Sequence, residues 1–190
     1  MELKQALESR RSVRAFDERP VSQEELDAMI AAATWAPSPL NLQPWQFVVI
    51  TEAGAKQKVI DAVQKAHKGV IDAGGPEWVT KYRYDFVEQA PMLIAVLYDP
   101  NKGGLGSYFN NPHGSMMAAA AAIQNLMLAA SGMGLGTVWF TFFNPEAMRG
   151  ALGAPDNLGV AGIIPVGAPK GDTKTPPRKP AKVFSQKYGA

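Results

Sequence analysis

Met92-Leu93-Ile94-Ala95-Val96-Leu97-Tyr98 is the stretch of sequence that decides the fold, because it is an apolar run that no charged residue interrupts. A run of this length and composition is typical of a central strand. Segments with helical spacing and segments with strand character follow one another along the rest of the chain, without strict alternation. The sequence therefore predicts an α+β fold in which helices flank a sheet.

The remaining elements are predicted from apolar spacing and capping residues. Further strands are expected at residues 45–50, 137–143 and 160–166. Helices are expected at residues 2–9, 55–67 and 115–131, from the capping box at Ser22 to Pro37, and from the N-cap Asn144 to Leu152. Gly132 suits the position just past the long alanine-rich helix, residues 77–89 stay ambiguous, and the tail from Ala168 is expected to be extended. No repeat or linker divides the chain, so residues 1–190 are expected to form one domain.

Composition excludes several classes of protein. The chain has 190 residues and no cysteine, which rules out disulfides, thiolate metal sites, iron–sulfur clusters and a cysteine nucleophile. Its 2 histidines leave little for a metal site, and its net charge of +2 argues against nucleic acid or an anionic membrane as the main partner. The first residues do not form a signal peptide, and Gln124 interrupts the longest apolar run. We therefore expect a cytoplasmic protein with no metal site, no nucleic-acid partner and no membrane partner.

A basic cluster near the N-terminus is the first candidate binding segment. Arg10, Arg11, Ser12 and Arg14 place guanidinium groups and backbone amides at a junction between a helix and a loop. Such groups suit a phosphate or another anion. The alternative is a solvated basic turn, which is the commoner role of a charge run.

A proline-rich loop and the tail carry further candidates. Residues 37–44 hold Asn41 and Gln43 between prolines, where their amides can read the edge of a heterocycle or cap the loop's own backbone. In the tail, Arg178 and Lys179 can close over an anion or stay solvated. The chain has no hydrolase elbow and no phosphate-binding Walker loop, and both histidines are expected to be bystanders.

Taken together, these motifs resemble the nitroreductase family of flavin enzymes. The resemblance rests on their order along the chain: Arg10-Arg11-Ser12-Val13-Arg14, then Trp35-Ala36-Pro37-Ser38-Pro39-Leu40-Asn41-Leu42-Gln43-Pro44-Trp45, then the helix with Gln124-Asn125-Leu126-Met127-Leu128-Ala129-Ala130, then Gly134-Leu135-Gly136, Pro165-Val166-Gly167 and Arg178-Lys179-Pro180. Each motif is weak alone, and their order and spacing make the signal.

The resemblance implies a homodimer with two FMN sites at its interface, a mostly antiparallel sheet, and an extended C-terminal tail that crosses to the partner subunit. One subunit would supply the basic cluster at residues 10–14. Arg10 would meet the phosphate with Arg178, helped by Lys174 or Lys179. Arg14 would lie toward the pyrimidine edge of the flavin.

The other subunit would supply the proline-rich loop, with the cofactor-binding residues Pro37, Ser38, Pro39 and Asn41. Pro39 departs from the family pattern, because proline has no amide to donate. The strand after the glycine turn would bring backbone donors near Thr141 and Phe142 to the N5 side of the flavin. Flavin N5 would carry the chemistry, so no catalytic side chain is expected.

The implied activity is a ping-pong transfer of two electrons from NAD(P)H, through FMN, to a nitroaromatic, quinone or similar small acceptor. A specialised flavin enzyme of the same fold is the alternative: a dehalogenase, an enoate reductase or a flavin-fragmenting enzyme. A non-catalytic flavin-binding protein and a binding module without cofactor are the rivals from other classes. Aromatic residues that can either stack on the acceptor or pack in the core are Tyr82, Tyr84, Phe86, Tyr108 and Phe109.

Overall fold

The computed structural model describes residues 2–173 and 175–189, so Lys174 lies outside the described residues. Its helices are α1 (Leu3–Ser9), α2 (Gln23–Thr34), α3 (Ala53–Asp72), α4 (Phe86–Gln89), α5 (Gly114–Gly132) and α6 (Pro145–Ala151). Its strands are β1 (Trp45–Ile50), β2 (Met92–Tyr98), β3 (Gly136–Thr137) and β4 (Gly159–Gly167). Short 3₁₀ helices lie at Pro39–Asn41, Glu77–Lys81, Pro100–Lys102 and Gly104–Phe109.

The strands form one antiparallel sheet in the order β1-β2-β4-β3. The apolar run that forms β2 lies inside this sheet, and its residues from Met92 to Leu97 are buried. Its register places Trp45 of β1 opposite Tyr98, and Val166 of β4 opposite Met92. The expected central strand and the expected antiparallel sheet are both confirmed.

Two apolar cores lie on the two faces of the sheet. On one face, α3, α4 and α6 cover alternate strand residues that include Leu93 and Ile163. On the other face, α2 and α5 cover Ile94, Val96 and Ile164. An unbroken apolar strand is stable here because each face of the sheet has its own helical layer.

Two helix starts follow directly from local chemistry. The Ser22 hydroxyl accepts the Glu25 N–H at 3.2 Å, and the Glu25 carboxylate accepts the Ser22 N–H at 2.8 Å, which completes the predicted capping box of α2. The side chain of Asn144 accepts the Ala147 N–H at 3.0 Å and caps α6. The ambiguous segment 77–89 contains the 3₁₀ helix Glu77–Lys81 and the short helix α4.

The end of α5 differs from the expectation for Gly132, which is still helical. The left-handed residue is Gly134, with φ +78°. The Gly134 N–H donates to the Ser131 carbonyl at 3.1 Å, and the Leu135 N–H donates to the Ala130 carbonyl at 2.9 Å. This pair of bonds is a Schellman motif, whose glycine lies one residue beyond the helix cap.

The third strand is much shorter than the predicted segment 137–143. Only Gly136–Thr137 forms β3, and an isolated antiparallel bridge joins Phe140 to Ile163 further along. The prediction was therefore wrong about a continuous strand, although the backbone keeps the register of one.

Pro165 explains the interruption of this strand. Phe140 and Ile163 exchange two backbone hydrogen bonds, of 2.9 and 3.0 Å. Such pairs recur at every second position of an antiparallel ladder, so Val138 and Pro165 occupy the next one. Proline has no N–H to donate, and the ladder breaks at this position.

Candidate functional site

Val13, in the middle of the basic cluster at residues 10–14, fixes the cluster to the rest of the fold. Val13 is buried, and its N–H donates to the Thr137 carbonyl at 2.9 Å. A Cβ at Gly136 would lie 2.7 Å from a Val13 methyl group, so glycine is needed for this close contact. Because Val13 points into the core, the flanking Ser12 and Arg14 are exposed.

Arginine side chains converge on one recess of about 310 Å³. Arg10, Arg11, Ser12, Arg14, Pro176 and Arg178 line it. Burial, together with the charges of Arg11 and Arg178, lowers the pKa of Arg10. Across residues 2–173 and 175–189, no carboxylate forms an ion pair with these arginines. Unpaired like charges repel one another, and an anion in the recess would relieve this, which favours an anion site over a solvated turn.

Arg11 has a further contact that its sequence motif does not indicate. Its Nε and Nη2 donate to the Thr175 hydroxyl at 3.1 and 2.7 Å, and its Nη1 donates to the Arg10 carbonyl at 2.7 Å. This contact fixes the tail beside the cluster and brings Arg178 to the recess. Thr175 carries no sequence signal for this role, since a single exposed threonine is common in any tail.

The proline-rich loop has an unusual backbone. Leu40, Asn41 and Gln43 have φ values of 51°, 55° and 44°, a region that non-glycine residues seldom adopt. The Ser38 hydroxyl accepts the Gln43 N–H at 3.1 Å, so part of the loop does cap its own backbone. Leu40 is nevertheless 72% exposed. Strain of this kind often accompanies a binding role.

The arginine recess and the loop lie at opposite ends of α5. A Cβ at Gly114, where α5 begins, would lie 3.1 Å from Pro39. Ser131, near the end of α5, lies with its hydroxyl 3.4 Å from that of Ser9, next to the basic cluster. A helix of 19 residues is about 28 Å long. Within one protomer the structure therefore does not bring Ser38 and Asn41 to the arginines.

The outer face of α5 is uncharged. Met117, Ala121, Gln124 and Leu128 recur at helical spacing and are exposed or half-buried, and α5 contains no charged residue. Trp35, at the end of α2, is 86% exposed. An exposed, uncharged and mostly apolar stripe of this length is typical of a protein interface. A second copy packed antiparallel along α5 would place the loop of one protomer beside the arginines of the other.

Thr141 and Phe142 line a different recess. This cleft of about 850 Å³ lies between α3 and the start of α6, and its apolar wall includes Ala62, Ala66 and Val70. The Phe143 N–H donates to the Thr141 carbonyl at 3.0 Å and forms a tight turn. None of the residues that line this cleft lines the arginine recess.

The aromatic candidates for acceptor contact separate into two groups. Phe86 is buried, and Tyr82 and Tyr84 pack against the same core. Tyr108 and Phe109 are 83% and 77% exposed in the segment that follows Gly104. Phe86 is therefore inaccessible to an acceptor, Tyr82 and Tyr84 are only partly accessible, and Tyr108 and Phe109 are fully accessible for stacking.

The described part of the chain contains no cluster of three or more His, Cys, Asp or Glu side chains that could hold a metal ion. None of its helices is both long enough and apolar enough to span a membrane. His67 has a packing role, because its Nε2 lies 2.7 Å from the Val79 carbonyl and its ring contacts Tyr84 and Phe142.

The structure is an α+β fold, an antiparallel sheet between two helical layers, with the arginine recess at one end of α5 and the strained loop at the other. The model of the Nitroreductase family matches residues 7–168. The chain belongs to the nitroreductase family. The expected family resemblance is thereby confirmed.

Individual relatives differ in the reactions that their names describe. The chain is 28% identical to an Archaeoglobus fulgidus protein named "Putative NADH dehydrogenase/NAD(P)H nitroreductase", over 85% of this chain and 82% of that one. It is 30% identical to iodotyrosine deiodinase 1 of Sus scrofa, over 94% of this chain and 66% of that one. An iodotyrosine deiodinase solved with FMN and 3-iodo-L-tyrosine superposes with a TM-score of 0.84 at 23% identity, over 98% of this chain and 100% of that one, which shows the shared fold.

Proposed function

We propose that the protein is an FMN-dependent oxidoreductase that passes two electrons from NAD(P)H to a nitroaromatic, a quinone or a similar small acceptor. The observation that carries this proposal is the recess of unpaired arginines at the end of an uncharged helix face. Family membership and the FMN-bound relative of the same fold support it. The name of the Archaeoglobus fulgidus relative supports NAD(P)H as the donor.

The arginine recess fits the phosphate end of FMN. Arg10 and Arg178 would bind the phosphate, and Ser12 adds a hydroxyl and a backbone amide at the same wall. Arg11 would contribute its charge, because three of its donors already contact the protein. Arg14 would lie further along, toward the pyrimidine edge of the ring.

The strained loop fits the far side of the same ligand only if it comes from a second subunit. We therefore propose a homodimer with two sites, in which Pro37, Ser38, Pro39 and Asn41 of one subunit meet the arginines of the other. The Asn41 backbone N–H donates to the Ser38 carbonyl at 3.1 Å, whereas its side-chain amide has no hydrogen-bond partner among the described residues and is free to bind a ring edge. The tail beyond Arg178 would cross to the partner, and we propose a cytoplasmic location.

Bound FMN supplies the two-electron chemistry at its N5 atom. The protein's own residues would position the ring and adjust its charge balance. The N–H groups of Thr141 and Phe142 are proposed as the donors on the N5 side. In the described chain these two amides have no backbone or side-chain acceptor.

Turnover assays test the proposal. The protein, reconstituted with FMN, is mixed with NADH or NADPH and with a nitroaromatic or a quinone. Oxidation of the nucleotide that depends on both FMN and the acceptor is expected. Absence of turnover with every pair, from protein that has bound FMN, would contradict the proposed reaction.

Reductive dehalogenation is a second candidate, favoured by the 30% identity to iodotyrosine deiodinase 1 and by the TM-score of 0.84. It uses the same fold and cofactor but a halogenated phenol as acceptor. Measurement of iodide release from 3-iodo-L-tyrosine distinguishes it from nitro or quinone reduction. Release of iodide at a rate above that of quinone reduction would make dehalogenation the main activity.

Arg14→Ala is expected to lower the midpoint potential of bound FMN by about 20–60 mV. The reason is that negative charge collects at the pyrimidine edge on reduction, and a nearby guanidinium stabilises that charge by about 1–3 kcal/mol. For a two-electron couple, about 30 mV corresponds to 1.4 kcal/mol. Spectroelectrochemical titration of the two proteins measures the shift.

Arg19→Ala is the matched control for this prediction. Arg19 lies a few residues further on, is exposed, and pairs with Glu25 at 2.9 Å. Its removal is expected to leave the potential unchanged. Equal potentials for the wild-type protein and Arg14→Ala would remove Arg14 from the flavin site.

A further inference from the structure

A β-bulge in β4 lies next to the turn that holds Thr141 and Phe142. Along the pairing with β2, Val96 lies opposite Gly162, whereas Leu97 lies opposite Val160. Ala161 is therefore an extra residue. Its carbonyl accepts a hydrogen bond from the indole Nε1 of Trp139 at 3.0 Å.

In a regular ladder the Ala161 carbonyl would have a different donor. Phe140 and Ile163 form a hydrogen-bonded pair, so the next such pair, two residues on, would join Phe142 to Ala161. The Phe142 N–H would then donate to the Ala161 carbonyl. The Trp139 indole occupies that acceptor instead, and the chain leaves the sheet after Phe140.

The position of the indole depends on glycine at residue 162. A Cβ at Gly162 would lie 2.3 Å from Nε1 of Trp139, a distance that no real contact allows. The absence of a side chain at Gly162 therefore leaves space for the indole, which bonds to the carbonyl of the bulge residue Ala161. Bulges of this kind often redirect a segment beside an active site.

We infer that Trp139 is a positioning residue for the flavin. By bonding to the Ala161 carbonyl, its indole N–H keeps the Phe142 amide out of the sheet and available to the cofactor. The inference rests on the proposed function for the identity of the ligand. The release of the Phe142 amide itself depends only on the backbone and on Trp139.

Trp139→Phe tests this role, because phenylalanine keeps an aromatic ring and removes the N–H donor. In the full-length variant before FMN is added, the Phe142 amide is expected to pair with the Ala161 carbonyl and to exchange with solvent deuterium about two- to tenfold more slowly. With FMN bound at saturation, reduction by NAD(P)H is expected to slow about tenfold. FMN affinity is expected to change less than twofold, because the arginine recess is untouched.

Trp78→Phe is the matched control. Trp78 also lies near Phe142, with ring centroids 6.5 Å apart, but its indole N–H has no acceptor among the described residues. The same substitution there is expected to leave the Phe142 amide exchange and the reduction rate at wild-type values. A general packing defect would instead change both variants alike.

Gly162→Ala provides an independent test if Trp139→Phe does not fold. Its Cβ displaces the indole while the tryptophan stays, and the same slower exchange and slower reduction are expected. Wild-type exchange of the Phe142 amide in a folded variant would overturn the inference. Failure of the wild-type protein to bind FMN would instead contradict the proposed function, and the exchange measurement would still decide the role of Trp139 in the backbone.

Discussion

Arg178→Ala is expected to weaken FMN binding by about ten- to a hundredfold. Arg178 lines the recess that also contains Arg10, and its charge contributes to the lowered pKa of Arg10. One charge-assisted hydrogen bond to the phosphate is worth about 1.5–3 kcal/mol, which corresponds to this range of affinity. Titration of the flavin-free protein with FMN, followed by flavin fluorescence, measures the change.

Arg178→Ala should weaken FMN binding far more than it slows turnover. The phosphate lies remote from N5, so turnover should largely recover when FMN is in excess. Lys182→Ala is the control, since Lys182 is an exposed cation of the same tail that does not line the recess. Unchanged FMN affinity in Arg178→Ala would show that the tail does not close over the site.

Ala121→Arg is expected to dissociate the dimer and to abolish FMN binding at micromolar protein. Ala121 lies in the middle of the uncharged outer face of α5. A guanidinium placed in an apolar interface without a partner costs several kcal/mol, and in the proposed dimer each site needs two subunits. Light scattering of dilute protein and FMN titration of the same sample measure the two losses together.

Gln64→Arg provides the control for Ala121→Arg. Gln64 is exposed on α3, on the opposite helical layer, so the same new side chain stays in water. This variant is expected to remain dimeric and to keep its flavin. A monomeric Ala121→Arg protein that still binds FMN at wild-type affinity would refute the shared site.

The parts of the fold that sequence predicts well are those that local chemistry determines. The apolar run of β2, the capping box at Ser22 and the cap at Asn144 each depend on residues close together in the chain. The break in the third strand depends on Pro165, which lies opposite Val138 only after the register of β4 is set. The end of α5 depends on which of two nearby glycines adopts the left-handed backbone.

The candidate site likewise combines features that the local sequence predicts with contacts that depend on the folded chain. The motif at residues 10–14 identified the arginines, and the order of motifs identified the family. The contact between Arg11 and Thr175 joins residues 164 positions apart, so no local pattern predicts it. The separation of the arginine recess and the proline-rich loop along α5 also became visible only in the folded chain, and it is the physical reason for proposing a dimer.

The visible spectrum of the purified protein tests the central claim most directly. It is recorded after incubation with FMN and removal of free flavin, before and after anaerobic addition of NAD(P)H. A yellow protein whose flavin band disappears on addition of the nucleotide is the result expected of an FMN-dependent NAD(P)H oxidoreductase. A colourless protein that takes up no FMN, or a yellow one whose band persists, would contradict the proposed function.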